Sequence, residues 1–185
     1  MSFDLTAALR RLRPQRTGAR LTRRDAADLP ALNSAAGPAL LLDTCVYIDV
    51  LQGRARAEVT SALSARLINH SAVSLSELTH AFGRLDPADP RTFGALRRVG
   101  EMIDAIPSHR LTTPTEAAFG QSGMLAGLVM RLAGEGDART LQNDALLYLH
   151  AVERGLTVLT RNQRDFDFFD QLVPSGRVLF YQGRT

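Results

Sequence analysis

Three carboxylates of this 185-residue chain, Asp43, Glu77 and Asp165, lie at or just past the ends of short apolar segments, and a fourth, Asp144, near the start of a predicted helix, could join them. Asp43 ends the run Ala-Leu-Leu-Leu-Asp, and Asp165 comes five residues after Leu-Thr-Val-Leu-Thr (156–160). Like charges that lie close together repel each other unless a cation neutralises them. Clustered carboxylates supply the oxygen ligands that Mg²⁺ and Mn²⁺ prefer, and ions held in this way activate water for phosphodiester hydrolysis. The residue types therefore favour metal-dependent phosphodiester chemistry.

Each of these carboxylates also has a structural interpretation at a helix terminus. The alternatives are an N-cap at Asp43 or Thr44, a capping box from Ser74 to Glu77, a helix-dipole contact at Asp144, and a cap at Asp165 for a helix beginning near Asp167. Four such residues at one edge of a sheet favour a shared site instead. Asp49 is not expected to join it, because six helical residues place it about 120° around the axis from Asp43, facing solvent or a local arginine.

Alternating apolar strands and amphipathic helices must position these side chains. Strands are predicted at 39–43, 67–73, 156–160 and 177–181. Helices are predicted at 3–13, 44–51, 55–66, 74–82, 91–106, 113–132, 138–154 and 163–171, with a capping box at Thr113-Pro114-Thr115-Glu116 and a C′ glycine at Gly155. This order indicates an α/β protein with a mostly parallel central sheet of four to five short strands. Ligands of such sheets bind beyond the carboxyl ends of the strands, where the candidate carboxylates lie.

Charge divides the chain into a basic N-terminal segment and a nearly neutral remainder. All 22 basic residues are arginines, and residues 1–38 hold seven of them against three aspartates. We therefore predict a basic arm or linker at 1–37 and one folded domain at 38–185. Removal of 1–35 is expected to leave the fold intact. A basic arm suits a polyanion or an acidic protein partner, or it serves as a solubilising tail.

The composition also indicates the compartment and excludes several enzyme classes. No apolar run reaches the length of a membrane helix, and the single Cys45 suits a reducing cytoplasm. The absence of lysine argues against P-loop NTPases, receiver domains and HAD-type phosphatases, and the last class also needs an aspartate where Cys45 stands. A nucleophilic role for Cys45 is disfavoured by the neighbouring Asp43, which opposes a thiolate.

Four segments resemble the PIN-domain ribonucleases, and among these the VapC-type toxins of bacterial toxin–antitoxin pairs. They are LLLDTCVYIDVL (40–51), SLSEL (74–78), NDALLYLHAVERGLTVLTRNQRDF (143–166) and RVLFY (177–181). The third segment is the most specific, because Asn-Asp-Ala starts a helix that a glycine ends, and a strand then leads into Thr-Arg-Asn-x-x-Asp-Phe. The resemblance covers about residues 38–181.

The resemblance implies a PIN-like three-layer α/β/α sandwich and a metal-dependent endoribonuclease. Asp43 and Asp144 would be the closest ligands of Mg²⁺, with Mn²⁺ as the alternative, and Glu77 and Asp165 would bind metal or orient its waters. Substrate or water would be positioned by Thr44, Thr160 and Asn162. The expected partners are an RNA substrate, a small antitoxin protein and a second copy of the chain in a homodimer.

Two other functions stay open at this stage. A catalytically silent PIN-like module could bind RNA or protein, although the presence of all four acids favours the enzyme. The basic arm could instead make the chain a DNA-associated protein. The arm lies outside the compact toxin that the chain resembles, so its role does not transfer. The segment 84–113 does not align with that toxin, and the resemblance implies that this helical region meets a partner or RNA.

Overall fold

A five-stranded parallel sheet forms the centre of the protein, which a computed structural model describes at residues 3–15, 20–134 and 137–183. The strands are β1 (Leu40–Leu42), β2 (Ile68–Ser71), β3 (Leu111–Thr112), β4 (Thr157–Thr160) and β5 (Val178–Phe180). Their order in the sheet is β3-β2-β1-β4-β5, and all neighbours pair in parallel. The predicted α/β class and mostly parallel sheet are confirmed.

Helices cover both faces of this sheet and complete a three-layer sandwich. They are α1 (Leu5–Leu12), α2 (Thr44–Leu51), α3 (Ala57–Ala65), α4 (Ala72–Arg84), α5 (Pro90–Asp104), α6 (Glu116–Ala133), α7 (Ala138–Arg154) and α8 (Gln163–Leu172). Among the helices in the described ranges, none combines the length and the apolar composition that a membrane span requires. The parallel sheet with helices on both faces confirms the PIN-like α/β/α architecture inferred from the sequence.

The strands alternate their side chains between two apolar cores, as the period of two in a strand requires. Leu41 and Val158 pack into the core made with α1, α6, α7 and α8. Leu40, Leu42 and Leu159 pack into the core made with α2, α3, α4 and α5. Because both faces are buried, β1 is apolar along its length, and β4 has polar side chains only at its first and last residues, Thr157 and Thr160.

Most element bounds shift by one to three residues, and two helix caps and one strand differ from the sequence prediction in kind. Helix α4 begins at Ala72 rather than Ser74, and its N-cap is Ser71, whose side chain accepts from the Val73 backbone N–H. Helix α6 is capped by Thr115, not Thr113. Strand β3 was not predicted, because two residues are too few for a hydrophobic period.

The N-terminal segment packs along the domain rather than standing apart from it. Leu12 and Leu29 are buried in the core on the α6–α8 side, and Leu32 is buried in the other core. The backbone N–H of Leu32 donates to the Phe180 carbonyl over 2.8 Å, and Ala31 forms a parallel bridge with Phe180. This packing argues against the expectation that residues 1–35 can be removed without effect, because three of their leucines are buried in the two cores. These leucines form no helical or strand period, so the sequence did not indicate their burial.

Arginines fasten the same segment to helix α8. The Arg24 guanidinium donates to Asp167 over 2.6 Å and to Asp170 over 2.7 Å, and its backbone N–H also donates to Asp167. The Arg23 guanidinium lies 5.3 Å from the centre of the Phe168 ring. Part of the basic charge of the segment is therefore used within the chain.

Candidate active site

The carboxyl edge of the sheet brings the candidate residues together from four separate parts of the chain. Asp43 follows β1, and Thr160 ends β4. Glu77 lies in the second turn of α4, Asp144 near the middle of α7, and Asp165 in the first turn of α8. The mid-helix position of Asp144 does not suit a contact with the helix dipole, which acts over the first turn.

Asp43 is buried and held by two neighbours. The Thr160 hydroxyl donates to its Oδ2 atom over 2.5 Å, and the Cys45 thiol donates to the same atom over 3.0 Å. Asp43 occupies the N-cap position of α2, but its side chain makes no capping hydrogen bond. Burial raises the pKa of this carboxyl above its ordinary value, although the two donors oppose the shift. The hydrogen bonds from Thr160 and Cys45 orient the carboxylate at the carboxyl edge of the sheet.

Asn162 connects the carboxylates of Asp144 and Asp165. Its side-chain amide donates to Asp144 Oδ2 over 2.9 Å and to Asp165 Oδ2 over 3.0 Å. Its side-chain oxygen also caps α8 by accepting from the Asp165 backbone N–H. The suggested cap at Asp165 is wrong, because Asn162 takes that position and α8 begins at Gln163.

Glu77 is held by hydroxyl and amide donors from two other helices. The Thr44 hydroxyl donates to its Oε2 atom over 2.5 Å, and the Asn143 amide donates to its Oε1 atom over 3.2 Å. The alternative of a capping box from Ser74 to Glu77 is wrong, since the Ser74 hydroxyl donates to the Leu42 carbonyl within the fold. Thr44 thus positions Glu77, and Thr160 positions Asp43.

The four carboxylates interact electrostatically as one group centred on Asp144. The pKa of Asp144 is raised to about 9, first by burial and then by the negative charges of Asp43, Asp165 and Glu77. Each of these three negative charges lies close enough to Asp144 to disfavour its ionised form. The local excess of negative charge is the electrostatic condition that a divalent cation relieves.

The donor set suits a hydrated Mg²⁺ better than a metal with a full protein cage. In the described part of the chain, no three His, Cys, Asp or Glu side chains form a group that could by itself hold a metal ion. Mg²⁺ keeps several waters and is commonly bound through one or two carboxylates plus substrate phosphates. Asp43 and Asp144 could supply those carboxylates, and Glu77 and Asp165 could hold the waters. The oxygen-only chemistry and the mutual repulsion therefore fit the expected ion.

We expect the metal-free protein to lose stability as pH rises from about 4 to 9. The folded pKa of Asp144 lies above the ordinary value of 3.8, at about 9. Within that window the folded state holds a proton that the unfolded state has released, so stability is greatest at the low end and is lost toward the high end. Mg²⁺ should raise the melting temperature more at pH 8 than at pH 5, because it binds deprotonated carboxylates. Thermal unfolding at each pH, in EDTA and in Mg²⁺, measures both effects. If Mg²⁺ raised the melting temperature of Asp144→Asn as much as that of the unaltered protein, the expectation would be contradicted.

Sequence reasoning missed a buried group beside the site. Asp49 is fully buried, not solvent-facing, and accepts from the Tyr181 hydroxyl over 2.9 Å. It pairs with the local Arg54, as one of the expectations had it, and also with the distant Arg161. Tyr181 and Arg161 each follow directly after a strand, and this position could have identified them as residues near the site. Nothing in the sequence indicated that Asp49 is buried.

In the described part of the chain, intervening side chains connect Asp49 with Asp43. The Tyr181 hydroxyl that donates to Asp49 also lies 3.6 Å from Cys45 Sγ, and this sulfur donates to Asp43. Burial and the charge of Asp43 raise the pKa of the Cys45 thiol to about 12, so it is not an activated nucleophile.

Comparison with known proteins gives matches among solved structures alone, since no family model and no curated protein matches the sequence. VapBC2 from Rickettsia felis, bound to a DNA fragment from their promoter, has a TM-score of 0.56 at 14% identity, over 78% of this chain and 99% of that chain. FitAcB from Neisseria gonorrhoeae has a TM-score of 0.55 at 20% identity, over 77% and 96%. DNA-bound VapBC from Salmonella typhimurium has a TM-score of 0.53 at 20% identity, over 77% and 97%.

These matches cover nearly the whole of the other chains, and they leave about a fifth of this longer chain outside the alignment. At such low identity they establish a shared fold. The structure therefore confirms the resemblance drawn from the sequence at the level of the fold: the chain has the PIN-like architecture of chains in VapBC and FitAB toxin–antitoxin complexes.

Proposed function

We propose that the protein is an Mg²⁺- or Mn²⁺-dependent endoribonuclease and the toxin of a toxin–antitoxin pair. The observation that carries the proposal is the joining of Asp144 and Asp165 by one Asn162 amide, beside Asp43 and Glu77 at the carboxyl edge of the sheet. The likeness to VapBC and FitAB structures supports the toxin role. A silent binding module would have no need of four mutually repelling carboxylates.

The chain's own side chains prepare the site for hydrolysis. Thr160 fixes the rotamer of Asp43, Thr44 fixes that of Glu77, and Asn162 holds Asp144 and Asp165 at a set separation. A bound divalent ion supplies Lewis acidity that lowers the pKa of a water and offsets the phosphate charge. A carboxylate of the cluster would accept the proton of the attacking water as the phosphorus–O3′ bond breaks. The expected products carry a 3′-hydroxyl and a 5′-phosphate.

The direct test is cleavage of a panel of end-labelled single-stranded and hairpin RNAs. We expect cleavage with Mg²⁺ or Mn²⁺ and none in EDTA, because the carboxylates alone cannot offset the phosphate charge. Asp43→Asn should be inactive, whereas Asp28→Asn, an exposed aspartate in the N-terminal segment, should cleave as the unaltered protein does. Cleavage that survives EDTA, or that persists in Asp43→Asn, contradicts the proposal.

Partner proteins follow from the same proposal and are tested separately. The matched structures include complexes named VapBC and FitAB, and a small antitoxin protein is the corresponding partner here. Co-expression with a short open reading frame that abuts this one should yield a stable complex with reduced RNA cleavage. Without the antitoxin, the chain is expected to form a homodimer, and light scattering on the purified chain measures its mass.

The cytoplasm is the expected compartment.

A further inference from the structure

Asp49 is a buried carboxylate with an arginine on each of its oxygens. Its Oδ1 atom lies 3.4 Å from Arg54 Nε, and its Oδ2 atom lies 3.2 Å from Arg161 Nε. The Asp49 side chain is 1% exposed, whereas the arginine side chains are 43% and 42% exposed. One interior charge therefore orients two guanidinium groups that reach solvent.

The ion pairs do not satisfy the buried atoms of this group. Asp49 Oδ1 and Arg54 Nε are both inaccessible to solvent, and within the described residues neither has a hydrogen-bond partner. Two arginines on one carboxylate also leave a net positive charge. In the described ranges, Asp49 is the sole acidic side chain that pairs with either arginine. The excess positive charge, carried on guanidinium groups that reach solvent, is what could bind an anion.

The position of Arg161 places this charge beside the acidic cluster. Its chain neighbours are Thr160, which donates to Asp43, and Asn162, which joins two other carboxylates. Its backbone N–H donates to Cys45 Sγ over 3.4 Å, and that thiol donates to Asp43. Arg161 is therefore attached directly between two residues that hold carboxylates of the cluster.

We propose that Arg54 and Arg161, oriented by Asp49, bind a backbone phosphate of the RNA next to the one that is cleaved. This inference rests on the proposed function and adds a substrate-binding site to it. Guanidinium groups present planar donor forks that match phosphate, and they stay charged at every physiological pH. Four carboxylates repel an approaching polyanion, so a neighbouring cationic pair offsets part of that repulsion. In this arrangement Asp49 is a positioning residue.

The test measures binding without cleavage, in Mg²⁺ and in the Asp144→Asn background. Fluorescence anisotropy with a labelled single-stranded RNA gives the Kd at several NaCl concentrations. Arg161→Gln and Arg54→Gln are each expected to weaken binding about tenfold, as loss of a charge-assisted hydrogen bond does. Each should reduce the slope of log K against log salt by about 0.7, the value for one phosphate contact on a single strand. Asp49→Asn should weaken binding although both arginines remain.

Arg177→Gln is the control, because Arg177 is also an exposed arginine and it lies just before β5, at the amino edge of the sheet and opposite the carboxylates. Its Kd should stay within about twofold of the background protein. In the protein with Asp144 restored, Arg161→Gln should raise KM and leave kcat nearly unchanged. Loss of folding would instead lower the amount of active protein and therefore the apparent kcat.

The outcomes separate this inference from the proposed function. If RNA is cleaved in Mg²⁺ but Arg54→Gln and Arg161→Gln bind RNA as the background protein does, the arginines only neutralise Asp49 and the phosphate site is wrong. If a purified protein partner is the sole ligand that these changes weaken, the inference is equally overturned. If RNA is neither bound nor cleaved, the proposed function itself fails.

Discussion

Replacement of Asp144 by asparagine is expected to abolish RNA cleavage and, in the metal-free protein, to raise the melting temperature. The pKa of Asp144 is raised to about 9 by burial and by three neighbouring carboxylates, so folding at pH 7 requires this group to take up a proton. Asparagine needs no proton, and its side-chain oxygen can still accept from the Asn162 amide. Activity and stability should therefore change in opposite directions.

The loss of activity should be at least a hundredfold, since residues that merely orient metal ligands are worth about 10–100-fold. Initial rates on one RNA and thermal unfolding in EDTA measure the two effects on the same preparation. In cells, induced expression of the unaltered chain should arrest growth, and Asp144→Asn should relieve the arrest. Asp28→Asn serves as the control for a change of the same kind at the surface. A destabilised Asp144→Asn, or one that still cleaves, would count against the site.

Deletion of residues 1–35 is expected to unfold the domain or to lower its melting temperature by more than 10 °C. The deletion removes Leu12, Leu29 and Leu32 from both cores and the Arg24 contacts with helix α8. Burial of one leucine is worth about 1.5–3 kcal/mol, and a domain has about 5–15 kcal/mol in all. For a domain of this size each kcal/mol corresponds to about 2–4 °C.

Circular dichroism melting of the full and shortened chains measures this directly. Leu29→Ala should cost about 2–5 kcal/mol on its own, which locates the effect in packing. Asp25→Asn is the control, because this aspartate lies in the same segment and is exposed. A shortened chain that melts within a few degrees of the full one would restore the sequence-based expectation of a separable arm.

The site was predictable to the extent that strand ends determine it. Asp43 and Thr160 end or follow apolar strands, and the parallel sheet delivers both to one edge. The details that define the roles needed three dimensions. Asn162 both caps α8 and joins Asp144 to Asp165, and neither the cap nor the second bond can be read from a spacing of three residues. The Thr-Arg-Asn-x-x-Asp-Phe motif identified Asn162 as a site residue but did not show which groups it contacts.

The fold was predictable where the hydrophobic period was long enough. Helix α7 was expected at 138–154 and is observed at Ala138–Arg154, ended by Gly155 with φ 65°. The packing of the N-terminal segment could not be predicted, because its buried leucines stand singly between arginines and prolines and form no hydrophobic period. Asp49 was misjudged for a related reason: its arginine partner Arg161 lies far away in sequence, and tertiary contacts determine its burial.

The bridge between Ala31 and Phe180 also affects how the protein behaves at high concentration. Strand β5 is the last in the sheet, and an unpaired outer strand offers its backbone groups to other chains. Here Pro30 accepts from the Phe180 N–H, and Leu32 donates to the Phe180 carbonyl, so the segment occupies that outer position. The N-terminal residues thus occupy backbone hydrogen-bonding groups of β5 that could otherwise pair with another chain. A shortened chain is at risk of aggregation through β5 even under conditions in which the remaining domain is folded.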